Sequence, residues 1–261
     1  MEHADPTDDV EANRGTAVVT GASSGIGAAT ARALADRGHR VIAAARRIER
    51  LTALELEDDR IEARELDVTN QASVNALVAS LAGDDVTLLV ANAGGSFDAD
   101  PIAEADLDAW QQALDVNVLG TVRTVRAVLP LLVASGRGLV VLMGSTAGRV
   151  SYENGGSYIA AKHAVAAIAG TLRLELSGQP VRVTEIAPGM VRTDEFALNR
   201  FGGDAGKAAA VYAGVAEPLT ADDVAQTVAW VATLPPHVNV DLLVVRPVAQ
   251  AAQHKVHRVT S

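Results

Sequence analysis

Short apolar runs alternate along this chain with longer stretches in which apolar residues recur every three or four positions. The runs are rich in Ala, Val, Leu and Ile and predict buried strands at residues 16–20, 40–45, 61–66, 86–91, 138–144, 181–187 and 241–246. The periodic stretches predict helices near residues 25–38, 47–57, 70–82, 103–134, 156–177 and 220–233. Strands that alternate with helices over short connections form βαβ units, so the pattern predicts an α/β fold.

Two segments fall outside this alternation. The first 14 residues carry five carboxylates and no apolar run, which predicts a disordered acidic tail and not a signal peptide. Residues 195–217 are rich in Gly and Ala and have no strand pattern, which is typical of a mobile lid with short helices or of a plain surface insertion. The chain has no repeat and no low-complexity linker, so residues 15–261 are expected to form one domain.

Composition narrows the class of protein. The 261 residues are 49% hydrophobic but only 3% aromatic, so the core must be mainly aliphatic, which suits a parallel sheet covered on both faces. The net charge of −10 argues against nucleic acid and anionic membrane as partners. The chain has no Cys, which excludes disulfides, thiolate catalysis and Cys-ligated metals, and no metal site is predicted. No run of 18 apolar residues is present, and a cytoplasmic location is expected.

The segment TGASSGIG, from Thr20 to Gly27, joins the first predicted strand to the first predicted helix. Glycines at such a turn permit a tight bend and let backbone N–H groups approach a pyrophosphate at the helix N-terminus. A structural turn without a ligand is the alternative, but the flanking strand and helix favour a nucleotide site. The candidate cofactor-binding residues are Gly21, Ser23, Ser24, Gly25, Ile26 and Gly27.

The end of the second predicted strand indicates which dinucleotide binds. An Asp or Glu there would bind the 2′-hydroxyl of the adenosine ribose, but this chain has Ala45 followed by Arg46 and Arg47. Two permanently charged guanidinium groups suit a 2′-phosphate, so NADP(H) is predicted over NAD(H). The alternative is a solvated helix start in which Arg46, Arg47 and Arg50 pair with Glu49.

Two further strand ends carry small or polar residues. Asp67 and Val68 follow the third strand, and Asp67 is expected to accept from the adenine amino group, to cap the helix that begins near Asn70, or both. The fourth strand ends in Asn92-Ala93-Gly94, where small residues would let a cofactor lie close to the backbone. A plain turn is the alternative for this second segment.

Three residues are candidates for proton transfer. Tyr158 and Lys162 lie four positions apart, so they share one face of the predicted helix, and Ser145 ends the fifth strand at the edge where ligands bind in open α/β sheets. An ammonium group beside a phenol is expected to lower the phenol pKa and so to activate it. A Tyr-xxx-Lys pair is common by chance, but this chain has only three lysines, which favours a specific role for Lys162.

Together these motifs resemble the short-chain dehydrogenase/reductase family, over nearly all of the chain from Thr16 to Arg246. The resemblance implies a seven-stranded Rossmann-type sheet of order 3-2-1-4-5-6-7, a catalytic tetrad and a dimer or tetramer. Asn117 completes that tetrad with Ser145, Tyr158 and Lys162, and the resemblance implies that it kinks a helix and holds a water molecule. It also implies that Tyr158 and Lys162 contact the cofactor, as does the segment after the sixth strand through Pro188, Gly189, Val191 and Thr193.

A narrower resemblance concerns the substrate. Residues 188–196, with the sequence PGMVRTDEF, are similar to the NADP-dependent 3-hydroxy acid dehydrogenase branch, as are residues 219–225, 236–240 and 256–258. This implies hydride transfer to or from a small alcohol or carbonyl substrate such as serine or 3-hydroxypropionate. Arg192 is a candidate for binding the substrate carboxylate, whereas Glu153 would repel it. A general aldehyde and ketone reductase, a dehydratase or epimerase, and an NADP-binding sensor without turnover remain open.

Overall fold

Seven parallel strands form the central sheet of the computed structural model, which describes residues 14–259. Residues 1–13 of the predicted acidic tail lie outside this range. The strands are β1 (Thr16–Thr20), β2 (Arg40–Ala45), β3 (Ile61–Glu65), β4 (Val86–Ala91), β5 (Gly138–Met143), β6 (Val181–Pro188) and β7 (Leu242–Val245). Their order is β3-β2-β1-β4-β5-β6-β7, which confirms the predicted α/β fold.

Helices cover both faces of this sheet. They are α1 (Gly25–Ala35), α2 (Ile48–Glu57), α3 (Gln71–Ser80), α4 (Leu107–Leu114), α5 (Gly120–Ala134), α6 (Gly156–Glu175), α7 (Phe196–Arg200), α8 (Ala205–Ala210) and α9 (Ala221–Thr233). Helices α1, α2 and α9 bury their apolar residues against one face, while α3, α5 and α6 bury theirs against the other. The core is aliphatic, as the composition predicts, and the central strands β1, β4 and β5 are buried along their whole length.

The predicted helix at 103–134 is divided into three parts. A π-helical stretch, Asp115–Leu119, separates α4 from α5 and contains the buried Asn117. By length and composition, the continuous segment Leu107–Ala134 could also cross a membrane. The core helix of a globular protein passes the same test, and α5 packs Val125, Val128 and Leu132 into the core. This segment is therefore weak evidence for a membrane span.

Two parts of the chain near the carboxyl edge of the sheet have no clear strand or helix pattern in the sequence. Residues 195–217 form the short helices α7 and α8, in agreement with the predicted segment of short helices. The C-terminal part forms an antiparallel hairpin of β8 (Gln250–Ala252) and β9 (Lys255–Val256), which was not predicted. Both parts lie against the site described next.

Candidate active site

A cavity of about 530 Å³ opens at the carboxyl ends of the strands, near the point where β1 pairs with β4 and the chain order reverses. Ligands of open α/β sheets bind at such a switch point. The cavity wall brings together most of the predicted site residues, namely Gly21, Ser24, Gly25, Ile26, Gly27, Asn92, Ala93, Gly94, Ser145, Tyr158, Lys162, Pro188, Gly189, Val191 and Thr193. The remaining predicted residues, which do not line it, are Ser23, Arg46, Arg47, Asp67, Val68 and Asn117.

The glycine turn leaves no room for side chains. Gly21 and Gly25 have φ angles of +68° and +52°, a region that favours glycine. A Cβ on Gly27 would lie 2.3 Å from the Gly21 carbonyl oxygen, and a Cβ on Gly21 would lie 2.8 Å from Ala93 Cα. The turn therefore packs directly on the end of β4, with the first turn of α1 facing the cavity. This cradle fits the pyrophosphate of a dinucleotide.

Asn92 holds the ends of β1 and β4 together. Its Nδ2 donates to the Thr20 carbonyl over 2.9 Å, while the backbone N–H groups of Asn92 and Ala93 both donate to Thr20 Oγ1 over 3.0 Å. Gly94, two positions after Asn92, has no room for a side chain, because a Cβ there would lie 2.4 Å from Asn117 Oδ1. In this structure, Asn92 and Gly94 shape the cavity floor by packing and hydrogen bonding.

Arg47 lies in a polar cluster beside the glycine turn. Its guanidinium donates to Ser23 Oγ over 2.9 Å and to Ser24 Oγ over 3.0 Å, and it forms a two-pronged ion pair with Glu195 at 2.7 and 2.8 Å. Arg50 pairs with the same carboxylate. Hydrogen bonds from Arg47, with help from Ser24 and Arg50 and against burial, lower the pKa of Glu195 to about 2. The alternative that these arginines pair with Glu49 is wrong for Arg47 and Arg50.

Asp67 and Val68 lie beyond the cavity, at the end of β3. Asp67 Oδ1 accepts from the Thr69 backbone N–H over 2.9 Å and from Thr69 Oγ1 over 2.7 Å. The predicted capping role of Asp67 is wrong, because Asn70 Oδ1 accepts from the first backbone N–H groups of α3. Val68 is buried and packs where a Cβ on Gly120 would lie. A contact of Asp67 with adenine stays a prediction.

Ser145, Tyr158 and Lys162 meet on the opposite wall of the cavity. Tyr158 and Lys162 share one face of α6, and Lys162 Nζ lies 5.6 Å from the centroid of the Tyr158 ring. Lys162 Nζ donates to the Met143 carbonyl over 2.7 Å, at the end of β5. The Ser145 hydroxyl accepts from the Ala147 backbone N–H over 3.1 Å and hydrogen-bonds the Tyr158 hydroxyl. A serine and a tyrosine hydroxyl thus face the same point in the cavity.

The predicted direction of the Tyr158 pKa shift is wrong. Burial raises the pKa of this phenol above its usual range, against the smaller opposing effects of the Ser145 hydrogen bond and the Arg200 charge. Burial also lowers the pKa of Lys162 to about 8, although the nearby Glu185 carboxylate acts in the opposite direction. In both groups desolvation outweighs the effects of the neighbouring residues, and the spacing of the residues along the chain does not reveal their burial.

Asn117 lies below the cavity floor in the π-helical stretch. Its Nδ2 donates to the Ala113 carbonyl over 2.8 Å and to the Gly95 carbonyl over 3.0 Å, and its Oδ1 accepts from the Gly95 N–H. The expected irregularity of the helix is present, since π-bulges break the regular hydrogen-bond ladder. These bonds tie α4 and α5 to the segment after β4. The water-holding role of Asn117 stays a prediction.

The substrate side of the cavity contains several residues that the sequence analysis missed. Aromatic, amide, imidazole and guanidinium groups from the 152–155 loop, α7, the turn after α8 and the C-terminal hairpin line it: Tyr152, Phe196, Arg200, Tyr212, Gln253 and His254. The Phe196 ring packs edge-on against Tyr158 with 5.3 Å between centroids. Thr146 Oγ1 donates to Gln253 Oε1 over 2.9 Å, which ties the hairpin to the catalytic wall. Phe196 lies in the segment that resembles the 3-hydroxy acid dehydrogenase branch, but no local pattern shows that it or the others face the cavity.

The two charged residues considered for substrate binding lie in different places. Glu153 is exposed and lines the cavity, as anticipated. Arg192 is exposed and stacks on the Tyr212 ring at 5.2 Å, where it lines a smaller separate cavity instead. Arg149 pairs with the buried Glu185 and does not pair with Glu153. Arg192 is thus poorly placed for a carboxylate beside Tyr158.

The chain is similar over most of its length to known oxidoreductases. The sequence model of the short chain dehydrogenase family matches residues 15–200. An uncharacterized oxidoreductase of Mycobacterium tuberculosis is 52% identical over 238 residues, which span 90% of this chain and 92% of that protein. The NADP-dependent 3-hydroxy acid dehydrogenase YdfG of Escherichia coli is 41% identical, with 92% of this chain and 98% of that protein covered.

Solved structures of NADP-bound dehydrogenases also superpose on this chain. The closed form of serine dehydrogenase complexed with NADP+ superposes with a TM-score of 0.88 at 40% identity, over 94% of this chain and 100% of that one. An alcohol dehydrogenase from the archaeon Thermococcus sibiricus, complexed with 5-hydroxy-NADP, superposes with a TM-score of 0.78 at 30% identity, over 92% of this chain and 99% of that one.

Proposed function

Because the chain belongs to the short-chain dehydrogenase family, we propose that it is an NADP(H)-dependent oxidoreductase acting on a small alcohol or carbonyl substrate. The observation that carries the proposal is the meeting of Ser145, Tyr158 and Lys162 in one cavity with the glycine turn. The glycine turn would hold the pyrophosphate, and Ser23, Arg46 and Arg47 would hold the 2′-phosphate. When bound, the nicotinamide supplies or accepts the hydride.

The protein residues handle the proton and the substrate oxygen. In the reductive direction, Tyr158 donates its hydroxyl proton to the oxygen that develops negative charge, and Ser145 hydrogen-bonds the same oxygen. Burial raises the pKa of Tyr158, so the phenol holds its proton at neutral pH, as a proton donor must. With a pKa of about 8, Lys162 is largely protonated at neutral pH and places a positive charge beside the phenol.

We propose a 3-hydroxy acid as the substrate class. The support is the name of the Escherichia coli relative and the serine dehydrogenase structure, both with more than nine-tenths of each chain covered. A general aldehyde and ketone reductase is the second candidate, favoured by the aromatic lining from Tyr152, Phe196 and Tyr212. NADPH absorbance with a panel of short 3-hydroxy acids, neutral alcohols, aldehydes and ketones separates the two candidates. No turnover with any member of the panel would indicate an NADP-binding protein that is not an enzyme.

Tyr158→Phe tests the proposed chemistry. The change removes only the hydroxyl, so we expect folding and NADPH binding to persist while kcat falls about 10²–10⁴-fold, the usual contribution of a positioned general acid. Tyr212→Phe is the matched control, since Tyr212 also lines the cavity but donates to the Val191 carbonyl over 2.8 Å. A Tyr158→Phe enzyme with more than roughly a third of the parent activity would show that Tyr158 is not the proton donor.

The proposal includes a homo-oligomer in the cytoplasm. Leu119 and Val122 are 45% and 41% exposed and lie three residues apart across the start of α5, so they form an apolar patch on the outer side of the longest helical segment. Apolar surface of this kind is typical of contacts between identical subunits.

A further inference from the structure

Arg200 lies in the cavity wall on the same side as Tyr158. It is the last residue of α7, four positions after Phe196, so both side chains share one face of that short helix. Phe196 contacts the Tyr158 ring, and Arg200 and Tyr158 both line the cavity. Burial raises the pKa of Tyr158 and the Arg200 charge acts against it, so the two groups are close enough to interact electrostatically.

The Arg200 guanidinium is held rigidly. Its central carbon lies 5.4 Å from the Tyr152 ring centroid and 5.5 Å from that of Phe201, within the range of cation–π contacts. Nη2 donates to the Asn154 carbonyl over 2.9 Å. Asn154 has a φ of +58°, a left-handed conformation that asparagine tolerates and that shapes this loop. A cation fixed by two rings and a carbonyl is oriented before any ligand arrives.

Arg200 also lacks a carboxylate partner. No ion pair to Arg200 is found within residues 14–259, and its one hydrogen bond to a backbone carbonyl there uses Nη2. In contrast, Arg50, another guanidinium in the cavity wall, pairs with Glu195. A guanidinium that lines a cavity without a carboxylate partner is available to pair with an anionic ligand.

We infer that Arg200 binds the carboxylate of the substrate while Ser145 and Tyr158 hold its hydroxyl or carbonyl oxygen. The inference rests on the proposed function and names the residue that selects an anionic substrate. In a 3-hydroxy acid, a single methylene separates the carbinol carbon from the carboxylate, so both ends would fit between Tyr158 and a guanidinium on the facing helix. The planar guanidinium matches a carboxylate in a two-pronged hydrogen bond.

The test compares 3-hydroxypropionate with its neutral amide, 3-hydroxypropionamide, as substrates of the full-length enzyme with NADP+. For Arg200→Ala we expect KM for the acid to rise at least about tenfold, whereas KM for the amide changes less than about threefold. The Kd of NADPH is expected to stay the same, which also shows that the variant folds. Arg200→Lys keeps the charge but loses the fork, so its KM for the acid is expected to lie between those of parent and Arg200→Ala.

Arg192→Ala is the matched control, because Arg192 is a nearby arginine that stacks on Tyr212 outside this cavity. Its KM for the acid is expected to equal that of the parent. An equal effect of Arg200→Ala on acid and amide, or the same loss in Arg192→Ala, would overturn the inference. A parent that oxidises neutral alcohols but not the acid would overturn it and leave hydride transfer intact, whereas a parent without any turnover would remove the proposed function as well.

Discussion

Tyr158 combines two requirements of a proton donor that oppose each other. The phenol must be buried to meet the substrate oxygen away from water, yet burial raises its pKa and makes the phenolate costly. In the reductive direction the raised pKa keeps the proton available. In the oxidative direction the phenol must lose that proton, and the neighbouring positive charges of Lys162 and Arg200 are the groups that favour the loss. The pKa of this one residue therefore bears on both directions of the reaction, with opposite requirements.

Cofactor choice is also decided by single residues. Ala45 ends β2 and is buried, so no carboxylate faces the position of the adenosine ribose, and Arg46 follows it on the surface. We expect kcat/KM with NADP+ to exceed that with NAD+ at least about tenfold, or roughly 1.4 kcal/mol. Ala45→Asp combined with Arg46→Ala is expected to reverse the preference, because the new carboxylate repels the 2′-phosphate and accepts from a 2′-hydroxyl.

Steady-state kinetics with both cofactors measures this change. Arg60→Ala serves as control, since Arg60 pairs with Asp58 after α2, and its cofactor preference is expected to match that of the parent. Equal use of NADP+ and NAD+ by the parent would contradict the assignment of Arg46 and Arg47 to the phosphate.

At the scale of elements, the sequence predicts what depends on local pattern and misses what depends on long-range contact. The predicted bounds of β1, β2 and β4 agree with the structure because each is a buried apolar run between turn residues. The spacing of Tyr158 and Lys162 likewise places both on one face of α6. By contrast, β8 and β9 contain two to three residues each, too few for a periodic pattern.

The contact between Arg47 and Glu195 is a further case that no local pattern predicts. The two residues are 148 positions apart, and they meet because the glycine turn and the segment after β6 share one edge of the sheet. The contact joins the cofactor side of the cavity to the segment that carries α7. The ion pair of Glu195 therefore links the two sides of the cavity.

Glu195→Gln is expected to weaken the contact of residue 195 with Arg47 and Arg50 and so to destabilise the fold. The folded-state pKa of about 2 lies below the ordinary value of 4.5, so the charged carboxylate stabilises the fold above about pH 4.5, and this contribution is lost as the pH falls toward 2. Arg47 and Arg50 are about half exposed, so screening limits the loss to about 1 kcal/mol. At pH 7 this predicts a Tm lower by roughly 2–4 °C.

Thermal unfolding of parent and variant across pH checks this expectation, and the difference in Tm is expected to shrink between pH 4.5 and the acid limit of folding. Asp194→Asn is the matched control, because the adjacent Asp194 forms no ion pair in the part of the chain that the structure describes. Hydrogen exchange in residues 196–210 should rise in Glu195→Gln alone. Equal Tm values for parent and Glu195→Gln at pH 7 would contradict a stabilising role of the Glu195 ion pairs.

At the scale of the whole molecule, the sheet divides the protein into a binding edge and two covered faces. Most of the residues that line the cavity follow the carboxyl ends of β1, β4, β5 and β6, so hydrophobic packing on both faces of the sheet positions them together. The outer surfaces of the helices are then free for contacts with other subunits. The exposed side chains of Leu119 and Val122, where the π-helical stretch meets α5, form an apolar part of that surface.

Leu119→Lys combined with Val122→Lys tests whether this surface joins subunits. We expect the parent to elute as a multiple of its 27.0 kDa chain in size-exclusion chromatography with light scattering. The double variant is expected to shift toward the monomer, because two like charges on the patch of each subunit repel across a symmetric interface. Leu56→Lys on α2 is the control, since Leu56 is 83% exposed on a different helix, and its mass is expected to equal that of the parent. A parent that is monomeric at micromolar concentration, or a double variant that keeps the parent mass, would exclude this face as the contact between subunits.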